Sequence, residues 1–250
     1  MVNGKAVKAK YAVKVGDVVT YEVPEEEVLE YTAENIPLDI IYEDEYILAV
    51  NKPINMPSHP SHGHFSDTLA NGVVAYYNKI GLSAAIHIIT RLDRNTSGVV
   101  LFAKDAYVHD LFSRLLREGN LHKEYIALCE GEFFGEGVID APIARTNDSI
   151  ITRCISADGV NAVTQYETIC SVHGNTVVRL NPQTGRTHQL RVHMSYLGHP
   201  MVGDDLYGAK SIPGAHHCLH AEKLTFIHPI TKEYIELFAQ NNNDWGNFGV

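Results

Sequence analysis

The chain lacks any apolar run near the ~18 residues that a membrane-spanning helix requires; Val99-Val100-Leu101-Phe102-Ala103 is typical of its longest. No apolar segment follows Met1, so neither a secretory signal nor a membrane partner is expected. Cysteine is scarce: Cys129, Cys154, Cys170 and Cys218 lie far apart with no C-x-x-C pair. That spacing excludes a zinc ribbon or a disulfide scaffold and points to a reduced, cytoplasmic protein. G-x-S-x-G, Walker A and G-x-G-x-x-G sequences are missing too, which leaves serine hydrolases, P-loop NTPases and dinucleotide enzymes without support. Nor is there a cationic surplus, since 20 Lys and Arg face 30 Asp and Glu for a net charge of −10. Strong basicity is the usual footprint of a nucleic-acid binder. The acids are unevenly placed, however: residues 22–45 hold ten of them and no Lys or Arg, and the other 226 residues balance at 20 against 20. A locally positive groove is therefore allowed.

What is present is ordinary globular material, 45% hydrophobic and 20% charged over 250 residues. This suits one substantial domain with a small appendage and excludes a disordered, collagen-like or coiled-coil chain. Residues 1–24 read as an appendage: a strand over 11–15, a turn at Gly16-Asp17 and a second strand over 18–23 before Pro24. Residues 25–39 read as an acidic, solvated linker, and residues 40–250 as the main domain. There, Ile47-Leu48-Ala49-Val50 suggests a buried strand. One helix is expected after a Ser66 cap, with Leu69, Val73 and Tyr76 on one face. A second follows an Asp105 cap, with Val108, Leu111, Phe112 and Leu115 as its stripe and Gly119 as its stop. A third opens near Thr187, carries Leu190, Met194 and Leu197, and stops at Gly198. Further strand-like runs lie at 98–103, 123–130, 160–169, 175–180, 224–227 and 234–239. Strands outnumber helices without regular alternation, which predicts an α+β fold with a mainly antiparallel sheet.

Three clusters could carry chemistry. The first is Arg91-Leu92-Asp93-Arg94-Asn95-Thr96-Ser97-Gly98, where an Asp between two arginines should be held ionised. Taken alone it reads more readily as a surface ion pair than as a catalytic centre. The second is Thr184-Gly185-Arg186-Thr187-His188-Gln189-Leu190-Arg191-Val192-His193, in which Arg191 flanks an apolar helical stripe and can reach across a cleft. The third is Lys123-Glu124-Tyr125, whose tyrosine is either sheet cover or a stacking platform for a base. His59, His62, His64 and Asp67 suggest a metal site, but the spacing completes no recognisable shell and no metal is expected. His216, His217 and His220 read as loop histidines.

In combination these stretches resemble the RluA-type pseudouridine synthases from about Ile40 to Ala239. The resemblance rests on Asn51-Lys52-Pro53, Arg91-Leu92-Asp93 with Thr96-Ser97-Gly98, Lys123-x-Tyr125, and the run from Thr184 to His193. It continues through Gly198-His199-Pro200-Met201-Val202-Gly203-Asp204-Asp205-Leu206-Tyr207-Gly208 and Leu219-His220-Ala221. One departure is Thr90, where the family commonly has His. The resemblance implies the pseudouridine synthase fold, a central RNA-binding cleft, and isomerisation of uridine in RNA with neither metal nor cofactor. Asp93 is then the essential carboxylate, which either attacks C1′ or removes the 2′ proton. Arg191 pairs with it, and Tyr125 stacks on the detached uracil and assists proton removal from C5. Arg91 fills the space of the flipped base, and Arg94, Arg186 and His188 serve RNA binding. A monomer is expected, acting on 23S ribosomal RNA in preference to tRNA. Val2-Asn3-Gly4-Lys5 with Val15-Gly16-Asp17 further resembles the C-terminal half of the alpha-L RNA-binding domain, whose helical first half would lie before Met1. Two other readings compete: a catalytically silent RNA binder of the same fold, and a metal-dependent hydrolase built on His59, His62, His64 and Asp67.

Overall fold

The continuous apolar runs of the sequence become the centre of a ten-stranded sheet. The computed structural model describes residues 1–8, 10–20, 31–61, 65–146, 149, 151–212, 215–241 and 245. In chain order the strands are β1 (Ile40–Glu43), β2 (Ile47–Lys52), β3 (His87–Ile88), β4 (Ser97–Ala103), β5 (Leu121–Glu130), β6 (Glu136–Asp140), β7 (Ile143–Arg145), β8 (Arg153–Ile155), β9 (Val163–Val172), β10 (Asn175–Pro182), β11 (Leu219–Ile227) and β12 (Tyr234–Phe238). The sheet runs β1-β2-β4-β11-β5-β10-β9-β6, with β12 on β11 and β3 on β4; β7 and β8 form a separate ribbon. Every described strand pair is antiparallel except β4 with β11. The fold is α+β, as the unalternating pattern of strands predicts.

β2 and β4 are buried at every position because both of their faces are covered. On one face, α2 (Ala106–Glu118) packs Val108 and Phe112 against Ile47, Leu101 and Phe226. On the other, α1 (Leu69–Ile80) packs Leu69, Val73 and Tyr77 against Leu48, Val100 and Phe102. The cap of α1 is Thr68 rather than Ser66, because Thr68 and Asn71 form a reciprocal capping box one residue before the apolar stripe. Asp105 and Gly119 bound α2 as expected. α3 (Gln189–Tyr196) starts two residues after Thr187, since His188 adopts a left-handed backbone with φ 56°, and its Leu190 and Met194 enter a core with Ala127, Val178 and Leu180.

The parallel β4–β11 contact joins two of the sequence motifs. Ser97 Oγ lies 2.8 Å from His220 Nδ1, and His220 Nε2 donates to Ala239 O at 2.9 Å. Gly98 is required there: with φ at 111°, a Cβ would lie 2.1 Å from Ala221 O.

Residues 31–39, inside the acidic stretch, are tethered to the body, with Thr32, Ala33, Asn35, Pro37 and Asp39 exposed to solvent. Asn71 Nδ2 donates to Thr32 O, and the Glu34 amide donates to Asn71 O. In the appendage, among the described residues, 11–15 and 18–20 form no paired strands. Instead Val2 bridges Val19, and Asn3 is bonded to Asp17 and to the Val18 amide. Val13, Val15 and Val18 remain exposed, so the alternation there has no core to face. Residues 21–24 lie outside the described residues. Among those described, no helix is long and apolar enough to cross a membrane.

Candidate active site

Asp93 sits in a turn that is gripped on both sides. Ser58 Oγ donates to Leu92 O at 2.9 Å and accepts from the Leu92 amide. Lys52 Nζ, at the end of β2, donates to the carbonyls of Pro53, Met56 and Arg94 at 2.8, 2.7 and 3.1 Å. Lys52 is fully buried, and this burial pushes its ammonium down to about 7 against the opposing pull of Asp93. Thr96 holds the far end: its amide donates to Asp93 O, and its hydroxyl lies 2.9 Å from His217 Nε2. Thr90 has structural work of its own, as its Oγ1 accepts the Leu101 amide.

Across the cleft, α3 presents Arg191, whose Nη1 lies 3.4 Å from Asp93 Oδ2. The rest of this guanidinium is bound to Asp204, with Nε to Oδ2 and Nη2 to Oδ1 both at 2.7 Å. Tyr207 covers it, with Cζ 4.9 Å from the ring centroid. Burial disfavours the Arg191 charge, but the two carboxylates outweigh it and hold the group more firmly protonated.

His188 is the third group at the carboxylate, with Nε2 3.8 Å from Asp93 Oδ2. Burial lowers its pKa, chiefly against the pull of Asp93, so the neutral ring is the relevant one. Its tautomer follows from the neighbours. The Arg153 amide donates to Tyr207 Oη at 3.1 Å, so the phenol proton is directed at His188 Nδ1, 2.7 Å away. The imidazole proton therefore sits on Nε2, facing Asp93. Both cationic or donor groups address Oδ2, and among the described residues nothing bonds Oδ1. Asp93 keeps a partly exposed side chain and lines a cavity of about 810 Å3.

Tyr125 lines the same cavity, on the face of β5 that also carries Lys123 and Leu121. Burial, with the Asp93 charge behind it, raises the Tyr125 phenol well above its usual range, so at neutral pH it is protonated. Burial also lowers the Lys123 ammonium. Gln189 and His193 are the scaffolding of the Thr184–His193 motif. Gln189 accepts from Thr184 Oγ1 and the Arg186 amide and donates to Val163 O and Thr164 Oγ1. His193 pins α3 to Thr164 and Ala141 O.

The cavity thus gathers Asp93, Tyr125, Arg191, Arg91, Arg186 and His188. Arg94 does not line it; its Nε donates to Asn55 Oδ1 on the exposed side of the turn. Of the histidines weighed for a metal, His59 lies 3.4 Å from Arg91 Nη1, and His62 and His64 lie outside the described residues. Sequence reasoning gave no role to Lys52, Asp204 or Tyr207. The available signal for Asp204 was an acid directly after Met201-Val202-Gly203, where burial demands a cationic partner.

The family profile described as RNA pseudouridylate synthase matches residues 46–196. The RNA pseudouridine synthase YjbO of Bacillus subtilis (strain 168), uncharacterised by its own description, is 45% identical over 240 residues, covering 95% of this chain and 85% of that one. The ribosomal large subunit pseudouridine synthase D of Vibrio cholerae serotype O1 is 35% identical over 258 residues, covering 97% and 80%. Among solved structures, human RNA pseudouridylate synthase domain containing 1 superposes with a TM-score of 0.67 at 28% identity, covering 82% and 84%.

Proposed function

This chain belongs to the RNA pseudouridylate synthase family and is an RNA pseudouridine synthase; from that premise we propose that Asp93 is its essential carboxylate and large-subunit ribosomal RNA its substrate. The observation that carries the assignment is the arrangement at Asp93. One oxygen faces Arg191 and His188, and the other is left to the cavity that Tyr125 lines.

The reaction breaks the bond from uracil N1 to C1′, forms one from C5 to C1′, and transfers the C5 proton away. A stacked base is out of reach, so the uridine must be flipped, and Arg91 at the cavity mouth fills the vacated space. Oδ1 of Asp93 then attacks C1′ or takes the 2′ proton. Arg191 and the Nε2 proton of His188 orient the carboxylate from the Oδ2 side. The protonated Tyr125 ring holds the detached uracil by stacking, a contact of ~1–3 kcal/mol. Its raised pKa disfavours a phenolate as the base that takes the C5 proton. Arg186, on the cavity wall, contacts RNA phosphate.

The large-subunit assignment draws on the Vibrio cholerae relative. The appendage, read as alpha-L-like, supports it by presenting Lys5, Lys8, Lys10 and Lys14 to solvent. The family resemblance supports action as a monomer, and a ribosomal RNA substrate supports a cytoplasmic location.

The test is tritium release from RNA labelled at uridine C5, comparing the native chain with Asp93→Asn on unmodified large-subunit RNA and tRNA. The native chain is expected to release tritium from the ribosomal RNA, with Asp93→Asn slower by at least ~10^3 yet still binding. Equal release by both chains would remove Asp93 from the chemistry. Release from tRNA alone would overturn the substrate.

A further inference from the structure

The strand that carries Tyr125 also carries Lys123, a cavity residue to which the reaction as drawn gives no part. We propose that Lys123 is a further catalytic residue, whose ammonium meets the rim of the uracil stacked on Tyr125 and balances the negative charge that the base holds while detached from ribose. The inference rests on the reading of the cavity as the uridine site, with Asp93 at C1′.

Lys123 is a half-buried cation with nothing to neutralise it. Burial alone acts on its ammonium and lowers it, and among the described residues no carboxylate is near enough to oppose the effect. The adjacent Glu124 lies on the opposite face of β5, where it meets Arg179 at 3.4 Å and Lys223 at 3.3 Å. Two other lysines withdrawn from solvent are satisfied, Lys52 by three backbone carbonyls and Lys104 by Glu43 at 2.7 Å. A cation drawn out of water without a partner is costly, and a methionine would cover the same part of the sheet without that cost. Packing does not explain the lysine; an anion that arrives with the substrate does.

The position suits that anion. Asp93 is the only acid among the described residues that line the cavity, and its charge acts on Lys52, Tyr125, His188 and Arg191 but not on Lys123. Along β5, Tyr125 is therefore the nearer to the carboxylate and Lys123 the farther. Residues two apart on a strand share a face and are separated by about 6.6 Å, within reach of a lysine stem. With C1′ at Asp93 and the ring on Tyr125, the outer edge of the base faces Lys123. The opposite wall leaves the head uncovered. A Cβ on Gly185 would meet only Lys123 Nζ, at 3.8 Å, so the ammonium stands over bare backbone of the loop before α3.

Charge appears at that edge by either route. When the N1–C1′ bond breaks, its electron pair leaves with uracil, whether Asp93 has attacked C1′ or removed the 2′ proton. The charge spreads over the ring and its carbonyl oxygens. C5 then bonds C1′ at the expense of that charge, C5 releases its proton and N1 takes one up. The base is thus neutral in substrate and product and anionic only between them. A fixed cation aimed where charge develops lowers the barrier, and the partial burial that disfavours the ammonium in the resting protein strengthens its contact with the anion.

The experiment combines single-turnover tritium release, on whichever of ribosomal and transfer RNA the native chain modifies, with RNA binding over a range of KCl concentrations. It compares the full-length native chain with Lys123→Met, Lys123→Arg and Asp93→Asn. Lys123→Met should lower the rate by ~10^2. It should bind RNA within about threefold of the native chain, with an unchanged slope of log Kobs against log salt. Its thermal midpoint should hold or rise, because a cation without a partner is removed. Lys123→Arg should recover about tenfold of the lost rate, since it restores the charge with a different head. A native rate in Lys123→Met beside a slow Asp93→Asn would overturn the role of Lys123 alone. A salt slope flattened by about 0.7 to 0.9 with the rate kept would overturn it in favour of a phosphate contact. A lowered midpoint without rescue by arginine would make the lysine structural and overturn it too. Equal release by the native chain and Asp93→Asn would refute the reading of the cavity, and this inference with it.

Discussion

Arginine occurs in two settings within a short stretch of this cleft. Arg191 is buried, bidentate to Asp204 and capped by the Tyr207 ring, with one remaining edge toward Asp93. Arg186 stands on the wall shared by this cavity and a smaller notch, where its Nε donates to the neutral carbonyl of Asn161. The difference shows what a paired carboxylate does. Asp204 satisfies most of Arg191 and leaves Asp93 a 3.4 Å contact, close enough to orient it without consuming both oxygens. Arg186, bonded through Nε to a carbonyl and in no ion pair among the described residues, keeps the rest of its fork for an incoming anion.

The sharpest way to break this contrast is Asp204→Asn, which turns Arg191 into a buried cation without its main partner. Opening a buried pair from one side costs about 3–5 kcal/mol, and a misplaced guanidinium should lower kcat by ~10^2. Thermal melting and single-turnover tritium release check the two effects separately. Next in size is acid sensitivity at His217, a group on the same loop system that must stay neutral. Burial, then the charge of Arg191, pushes it down to about 2. Its folded pKa lies below its unfolded value, so the unfolded chain binds more protons and stability falls as pH drops below about 6.5. The loss should reach about 2 kcal/mol at pH 5, and His217→Gln should flatten that part of the melting profile between pH 7 and 5. The tautomer at His188 predicts a smaller and more pointed effect. His188→Gln keeps an amide donor where Nε2–H was and should retain kcat, and His188→Asn should lose about tenfold, or ~1.4 kcal/mol. If the two variants are equally impaired, the Nε2 donor is not what matters. Smallest of all, removing residues 1–20 should shift the stability of the body by no more than ~0.5 kcal/mol, because apart from buried Val2 they carry exposed valines and lysines. A filter-binding assay on ribosomal RNA would then report whether those lysines contribute affinity.

Much of this was legible in the sequence, for identifiable reasons. Strands buried on both faces announce themselves as unbroken apolar runs, which is why Val99–Ala103 and Ile47–Val50 could be placed. Asp105 and Gly119 were found because cap and stop flank a clear stripe, and the start of α3 was displaced because a left-handed His188 leaves no compositional mark. Asp93, Tyr125 and Arg191 were identified through motif resemblance, and the structure brings all three to one cavity. The three-residue strands β7 and β8 carry too few residues to show a period, so the facing of Arg145 and Arg153 became visible only with their register. Asp204 and Tyr207 were quoted as motif residues without a role, since only the folded chain brings them to Arg191 and His188.

The junction of β4 with β11 has a consequence for how the molecule is made. Thr96 meets His217 across 121 residues, Ser97 meets His220 across 123, and Asp93 meets Arg191 across 98. Contacts so distant along the chain close late, after the local helices and hairpins have formed. During synthesis, which proceeds from the N-terminus, the Asp93 turn must wait for nearly half the protein before Arg191, His217 and His220 exist. A growing chain cut short before Leu219 would contain Asp93, Tyr125 and Arg191 and still lack the strand against which that turn is set.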